Sequence, residues 1–108
     1  MEFDLVVLAP AQEFLRGLDA RLRAKATRSM ELLRRFGPQL PMPHARKLSG
    51  HDLYELRAQL GSNICRLFYF HKGGTLYVVT SGYIKKTERT NRREIERALR
   101  LKLEYEDG

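Results

Sequence analysis

The sequence predicts one α+β domain in which helices flank an antiparallel meander. Three observations predict it. Apolar residues recur at spacings of three and four from Phe14 to Leu33, the period of helix with one buried stripe. The period then becomes two, broken by tight turns at Gly61-Ser62-Asn63 and Lys72-Gly73-Gly74, as strands joined in hairpins require. A last stripe, Ile95, Ala98, Leu99 and Leu103, closes the chain with another helix. With 108 residues the chain has room for one hydrophobic core and not for two ordinary domains, so the expected domain spans residues 1–108.

Taken in order, Phe3 to Leu8 is a short β-branched strand. Pro10 suits the first turn of a helix, where its missing N–H is no loss. Gly17 and Asp19 mark a break in the stripe, and Asp19 can cap a second helix. Phe36-Gly37-Pro38 ends that helix, because glycine accepts the left-handed position and proline cannot continue. Residues 37–43 form a rigid connection. From Leu53 to Leu60 the chain alternates, with Tyr54, Leu56, Ala58 and Leu60 on one face and Glu55, Arg57 and Gln59 on the other. Ile64 to His71 is almost wholly apolar or aromatic, which predicts a central strand covered on both faces. Thr75 to Ile84 is a further strand rich in Tyr, Val and Thr. After Lys85-Lys86-Thr87 the final helix begins near Thr90 or Asn91. The order is β-α-α, a meander of three or four strands, then α.

Composition narrows the function. Apolar residues at 43% and charged residues at 31% suit a folded chain rather than a disordered one. The start, Met1-Glu2-Phe3-Asp4, lacks the basic region of a signal peptide. The longest apolar run, Leu5 to Ala11, is far too short to cross a membrane, so a cytoplasmic location with no membrane partner is expected. Cys65 is the only cysteine, which excludes an internal disulfide and a cysteine-based zinc site. The formal net charge of +7 belongs either to a self-solvating surface or to one that meets a polyanion. Arginines outnumber lysines, and their planar forks hold phosphate bidentately.

Four places could carry chemistry. Arg66 lies inside the most apolar strand, where a charge needs either a partner such as Glu55 or an anion. If the turn at 61–63 closes a hairpin, Arg57 lies nearly opposite Arg66, and facing arginines repel unless an anion separates them. Tyr83 and Lys85 share one face of their strand. Positive neighbours would lower both of their pKa values and suit them to move protons. Arg89, Arg92, Arg93, Arg97, Arg100 and Lys102 surround the last helix, interleaved with Glu88, Glu94 and Glu96, so the run is either a solvated, ion-paired face or a partly solvated one that also meets a phosphate backbone. His44, His51 and His71 show no metal-ligand spacing. Of them only His51, beside a strand start, is a candidate acid or base. There is no glycine-rich phosphate loop and no paired acidic motif, so neither metal nor cofactor is expected.

Lys47-Leu48, Leu53-Tyr54-Glu55-Leu56-Arg57, Arg66-Leu67-Phe68-Tyr69-Phe70, Gly82-Tyr83-Ile84-Lys85-Lys86-Thr87 and Arg93-Glu94-Ile95-Glu96-Arg97-Ala98 follow in this order. Together they resemble the HigB-type toxins, the phage-derived branch of the RelE-like ribonucleases. The resemblance runs from about residue 44 onward and implies a compact RelE-like fold, β-α-α-β-β-β-β-α, with a curved antiparallel sheet and helices packed against one side. It implies a toxin of a type II toxin–antitoxin pair, a metal-independent endoribonuclease that cuts mRNA in the ribosomal A site. Its antitoxin would be a helix-turn-helix, HigA-like protein. Arg57, Arg66, Tyr83 and Lys85 would form the catalytic group, and Lys47, Lys86, Arg89, Arg92 and Arg93 would bind RNA. Position 83 is often phenylalanine in such toxins. The proline common before their last helix is Asn91 here, which can cap the helix with Glu94 completing a capping box. On this reading Arg66→Ala nearly abolishes cleavage and leaves the fold intact. The competing reading is a non-catalytic basic RNA- or DNA-binding module on the same fold.

Overall fold

The computed structural model describes residues 2–41, 44–85 and 91–108, with Lys85 described by its backbone. The chain opens with β1 (Asp4–Val7) and turns through Leu8 into α1 (Ala9–Arg16), with Pro10 in its first turn. At the corner Asp19 caps α2 (Ala20–Phe36), its carboxylate accepting the N–H of Arg21 at 2.9 Å and of Leu22 at 3.0 Å. The last carbonyls of a helix lack intrahelical partners, and Arg23 supplies them for α1. Its guanidinium donates to the carbonyls of Leu15, Arg16 and Leu18 at 2.9, 3.0 and 2.6 Å. One of the arginines counted toward the basic surface is therefore spent on the corner. The end of α2 is equally determined: Gly37 takes φ +53°, and a Cβ there would run into the Phe3 ring.

Four strands follow: β2 (Ala45–Lys47), β3 (Tyr54–Leu60), β4 (Asn63–Gly73) and β5 (Leu76–Lys85). The sheet order is β1-β5-β4-β3-β2. The meander is antiparallel, as the turns predicted, while β1 adds a parallel edge with Asp4 opposite Leu76. Strand β2 is the fourth strand that the alternation could not resolve, because three residues are too few to show a period. The final helix α3 (Arg92–Asp107) begins at Asn91. No helix among the described residues is long and apolar enough to cross a membrane.

The helices do not share one side of the sheet, which corrects the expected packing. Helices α1 and α2 cover Leu56, Ala58, Cys65, Leu67, Tyr69 and Val79. Helix α3 covers the opposite face, packing Ile95, Ala98 and Leu99 on Leu48, Leu53, Phe68 and Tyr83. The cause is the strand already marked as buried. Every residue of β4 from Ile64 to Phe70 is buried, and alternate side chains point to opposite faces, so both faces need cover. This also explains why Glu55, placed by alternation on a polar face, is fully enclosed. Burial pushes the Cys65 thiol up to about 12, so it stays protonated at neutral pH and offers no thiolate.

Helix α1 lies so close to the sheet that β5 has no room for a side chain at Gly82. A Cβ there would approach the Phe14 ring to 2.5 Å and Leu67 to 2.7 Å. Overpacking of this kind costs about 1–3 kcal/mol, and we expect that loss for Gly82→Ala in urea unfolding. Adding Phe14→Leu should recover part of it. Equal stability of Gly82→Ala and the parent would show that α1 can retreat freely.

Candidate functional site

The β3–β4 register sets Arg57 opposite Arg66, and the β4–β5 register sets Arg66 opposite Tyr83. The turn at 61–63 therefore brings the two arginines face to face as the sequence predicted. All three belong to the face that carries α3. One row away are Glu55, Phe68 and Ser81, and on the other side Lys85 pairs with Ile64.

Arg66 is only 1% exposed, beside a Glu55 that is fully buried. Its Nη1 donates to Glu55 Oε1 at 2.9 Å. The Nε of Arg46, on the edge strand β2, lies 3.5 Å from the same oxygen. An unpaired charge could not be buried here, and Glu55, the partner weighed in the sequence, is paired with Arg66. Facing arginines repel, and the carboxylate one row away offsets that repulsion. Arg46 and Arg66 at one carboxylate, with Arg57 opposite Arg66, still leave a cationic patch. Arg57 is its half-buried member next to the β3 edge.

Tyr83 is 9% exposed and stacks on Phe68 with ring centres 5.7 Å apart. Its hydroxyl accepts the N–H of Asn91 at 3.0 Å. The capping box expected from Glu94 is therefore not what closes α3. Asn91 Oδ1 accepts from the Arg93 N–H at 2.9 Å, while its own N–H goes to Tyr83. Glu94 Oε1 is buried without a hydrogen-bond partner among the described residues. The box fails because a tyrosine on the adjacent strand outcompetes a residue three places along. Tyr83→Phe keeps the ring and loses this bond. We expect it to cost about 0.5–1.5 kcal/mol and to speed amide exchange at Asn91. Unchanged stability would remove Tyr83 as the anchor of α3.

Arg57 also lines a groove of about 270 Å³ with Lys25, Arg28, Ser29 and His44. Ser29 Oγ donates to the Arg57 carbonyl at 3.1 Å, and the Arg57 N–H donates to the His44 carbonyl at 2.8 Å. Sequence reasoning missed Lys25, Arg28 and His44. The first two occupy the polar face of α2, about thirty residues from Arg57, and no local pattern links them to it. His51, the histidine singled out from the sequence, does not line this groove.

Lys47 belongs to the other side of the sheet, opposite Tyr54, beside a second cavity of about 240 Å³. It does not join the arginine row. Arg92 and Arg93 are exposed at the start of α3. Arg92 lies 3.8 Å from Glu96, an exposed pair that contributes little. Arg93, Arg97 and Arg100 are exposed and make no ion pair among the described residues. Lys86 and Arg89 lie outside the described residues.

The sequence matches the family of phage-derived, Gp49-like proteins over residues 13–102, from α1 into α3. The chain belongs to that family. No curated protein matches it significantly. The fold of this Gp49-like chain is that of the RelE toxins. It aligns with a double-arginine mutant of the Escherichia coli toxin RelE in the free state at TM-score 0.67 and 22% identity, covering 93% of this chain and 97% of that one. The intact E. coli RelBE toxin–antitoxin complex gives 0.57 at 22% identity, with 81% and 99% covered. The archaeal RelE–RelB complex of Pyrococcus horikoshii gives 0.55 at 18%, with 83% and 100% covered. The RelE-like architecture expected from the sequence is the one observed.

Proposed function

We propose that this Gp49-like chain is the toxin of a toxin–antitoxin pair and an endoribonuclease that cuts mRNA in the ribosomal A site. The observation that carries the reading is the row Arg57–Arg66–Tyr83 across three adjacent strands, with Lys85 next on β5. The 2′-OH of one ribose attacks the adjacent phosphate. The 2′-O–P bond forms as the P–O5′ bond breaks, and the 5′ oxygen leaves with a proton. Arg57 faces the phosphate and stabilises the charge it gains. Arg66, held by Glu55, fixes the strand position and field of Arg57. Lys85 moves the proton, and Tyr83 holds the start of α3 beside it. Arginine keeps its proton throughout, so it is not the base. The exposed Arg92 and Arg93, together with Lys86 and Arg89, meet the RNA backbone, which gives affinity without base specificity. A site without a catalytic histidine gains from a ribosome that aligns the 2′-OH with its leaving group.

The antitoxin partner is supported by the matched toxin–antitoxin complex. We propose that it is a helix-turn-helix, HigA-like protein. A second reading, a non-catalytic RNA-binding module, is favoured by one observation: Arg66 is enclosed and pairs with the buried carboxylate of Glu55. Primer extension on an mRNA incubated with the purified protein, with and without paused ribosomes, separates the two. Cuts inside the A-site codon only with ribosomes are expected. Cuts on free RNA would make the site self-sufficient, and an uncut message in both cases would leave the binding module.

A further inference from the structure

The second cavity lies on the α2 side of the sheet, away from the arginine row, and four aromatic residues line it: Tyr54, Tyr69, His71 and Tyr77. Tyr54 stacks on Tyr69 at 5.3 Å between ring centres, and His71 stacks on Tyr77 at 4.8 Å. Tyr69 and Tyr77 are 3% and 4% exposed. Yet neither hydroxyl has a hydrogen-bond partner among the described residues, and neither oxygen is sealed from solvent. Both hydroxyls are therefore open to hydrogen-bond a molecule that enters the cavity. Burial raises both phenols, and the neighbouring tyrosines raise Tyr69 further, so both keep O–H donors at neutral pH. Lys47, exposed, and Arg46, half-buried, also line it.

We propose that this cavity is a second RNA subsite that takes one nucleotide of a single strand. The base stacks on the half-buried ring of Tyr54 and meets the hydroxyls of Tyr69 and Tyr77 with its polar edge, while Lys47 takes the phosphate. A planar ring with donors, acceptors and an adjoining anion uses every feature of the cavity. An aliphatic ligand would leave the hydroxyls unsatisfied, and a carboxylate alone would leave the rings unused. Stacking of this kind tolerates any base. The RNA identity of the ligand rests on the nuclease reading above, and the position of the cavity fits it. Tyr54 and Arg57 are three residues apart on β3, roughly 10 Å along the strand, and point to opposite faces. Arg46, on the edge strand between them, approaches Glu55 and also lines the cavity. One strand passing over the β2 edge thus meets both sites.

NMR titration of the full chain tests this, with adenosine monophosphate and a 2′-O-methylated hexaadenylate that cannot be attacked at its 2′ oxygen. Ring signals of Tyr54, Tyr69, His71 and Tyr77 should shift with both probes. Tyr69→Phe with Tyr77→Phe should weaken hexaadenylate binding about tenfold at an unchanged urea midpoint. Arg57→Ala should leave these shifts in place. Tyrosine shifts in a protein that cleaves no RNA would keep the subsite and sink the nuclease reading. Shifts confined to the arginine row would overturn the subsite and spare the nuclease. Shifts with the mononucleotide alone, or with a glutamate-rich helical peptide and not RNA, would also overturn it.

Discussion

Glu55→Ala is expected to lower the stability of the chain by about 3–5 kcal/mol, because it strands a buried arginine. Both partners of the pair are enclosed, Glu55 at 0% and Arg66 at 1% exposure, so solvent screens little of the interaction. Arg66→Ala should be costly for the mirror reason, because it takes from a fully buried carboxylate the arginine 2.9 Å away. This reverses the expectation from sequence that Arg66 could be removed with the fold intact. Urea unfolding of the two single variants and of Glu55→Met with Arg66→Met decides the matter. The double variant should recover much of the loss, since an apolar pair needs no desolvation. A single-variant loss below about 1 kcal/mol would show that Arg66 finds an anion elsewhere.

Arg57→Ala is the substitution with the largest expected effect on activity. The side chain is half-buried beside the β3 edge, so its removal should disturb the fold little. Loss of one charge-stabilising group typically slows a reaction by about 10²–10³-fold, and that is the expected fall in cleavage of ribosome-bound message. A folded Arg57→Ala protein that cuts at the parental rate would transfer the phosphate to the groove residues Lys25 and Arg28. A Glu55 variant that folds and loses activity in step with Arg57→Ala would identify Glu55 as the group that positions the row.

Much of this was legible in the residues themselves. The two N-terminal helices, the break at Gly17 and Asp19, the central strand and the hairpin register all follow from local period and turn chemistry. That register alone placed Arg57 opposite Arg66. What escaped is what distant segments decide together. The alternation at Glu55 and Arg57 marked a polar face, but the covering helix comes from residues 92–107, and nothing near position 55 announces it. The competition between Tyr83 and Glu94 for the Asn91 N–H is likewise settled by the packing of α3 on β5. The aromatic residues of the second cavity were read as strand formers, and only the sheet brings Tyr54, Tyr69 and Tyr77 to one opening.

The parallel edge has a consequence for how the chain reaches its active shape. Asp4 must find Leu76, a closure of about 72 residues that follows from their numbering, and contacts so distant in sequence slow folding. Until β5 has been synthesised, β1 has no strand to join and β4 lacks one of its two neighbours. A growing chain that stops before residue 76 therefore carries the arginines of β3 and β4 on an unfinished sheet. The complete row, with Tyr83 and the Lys85 position, comes into being only once β5 has been made.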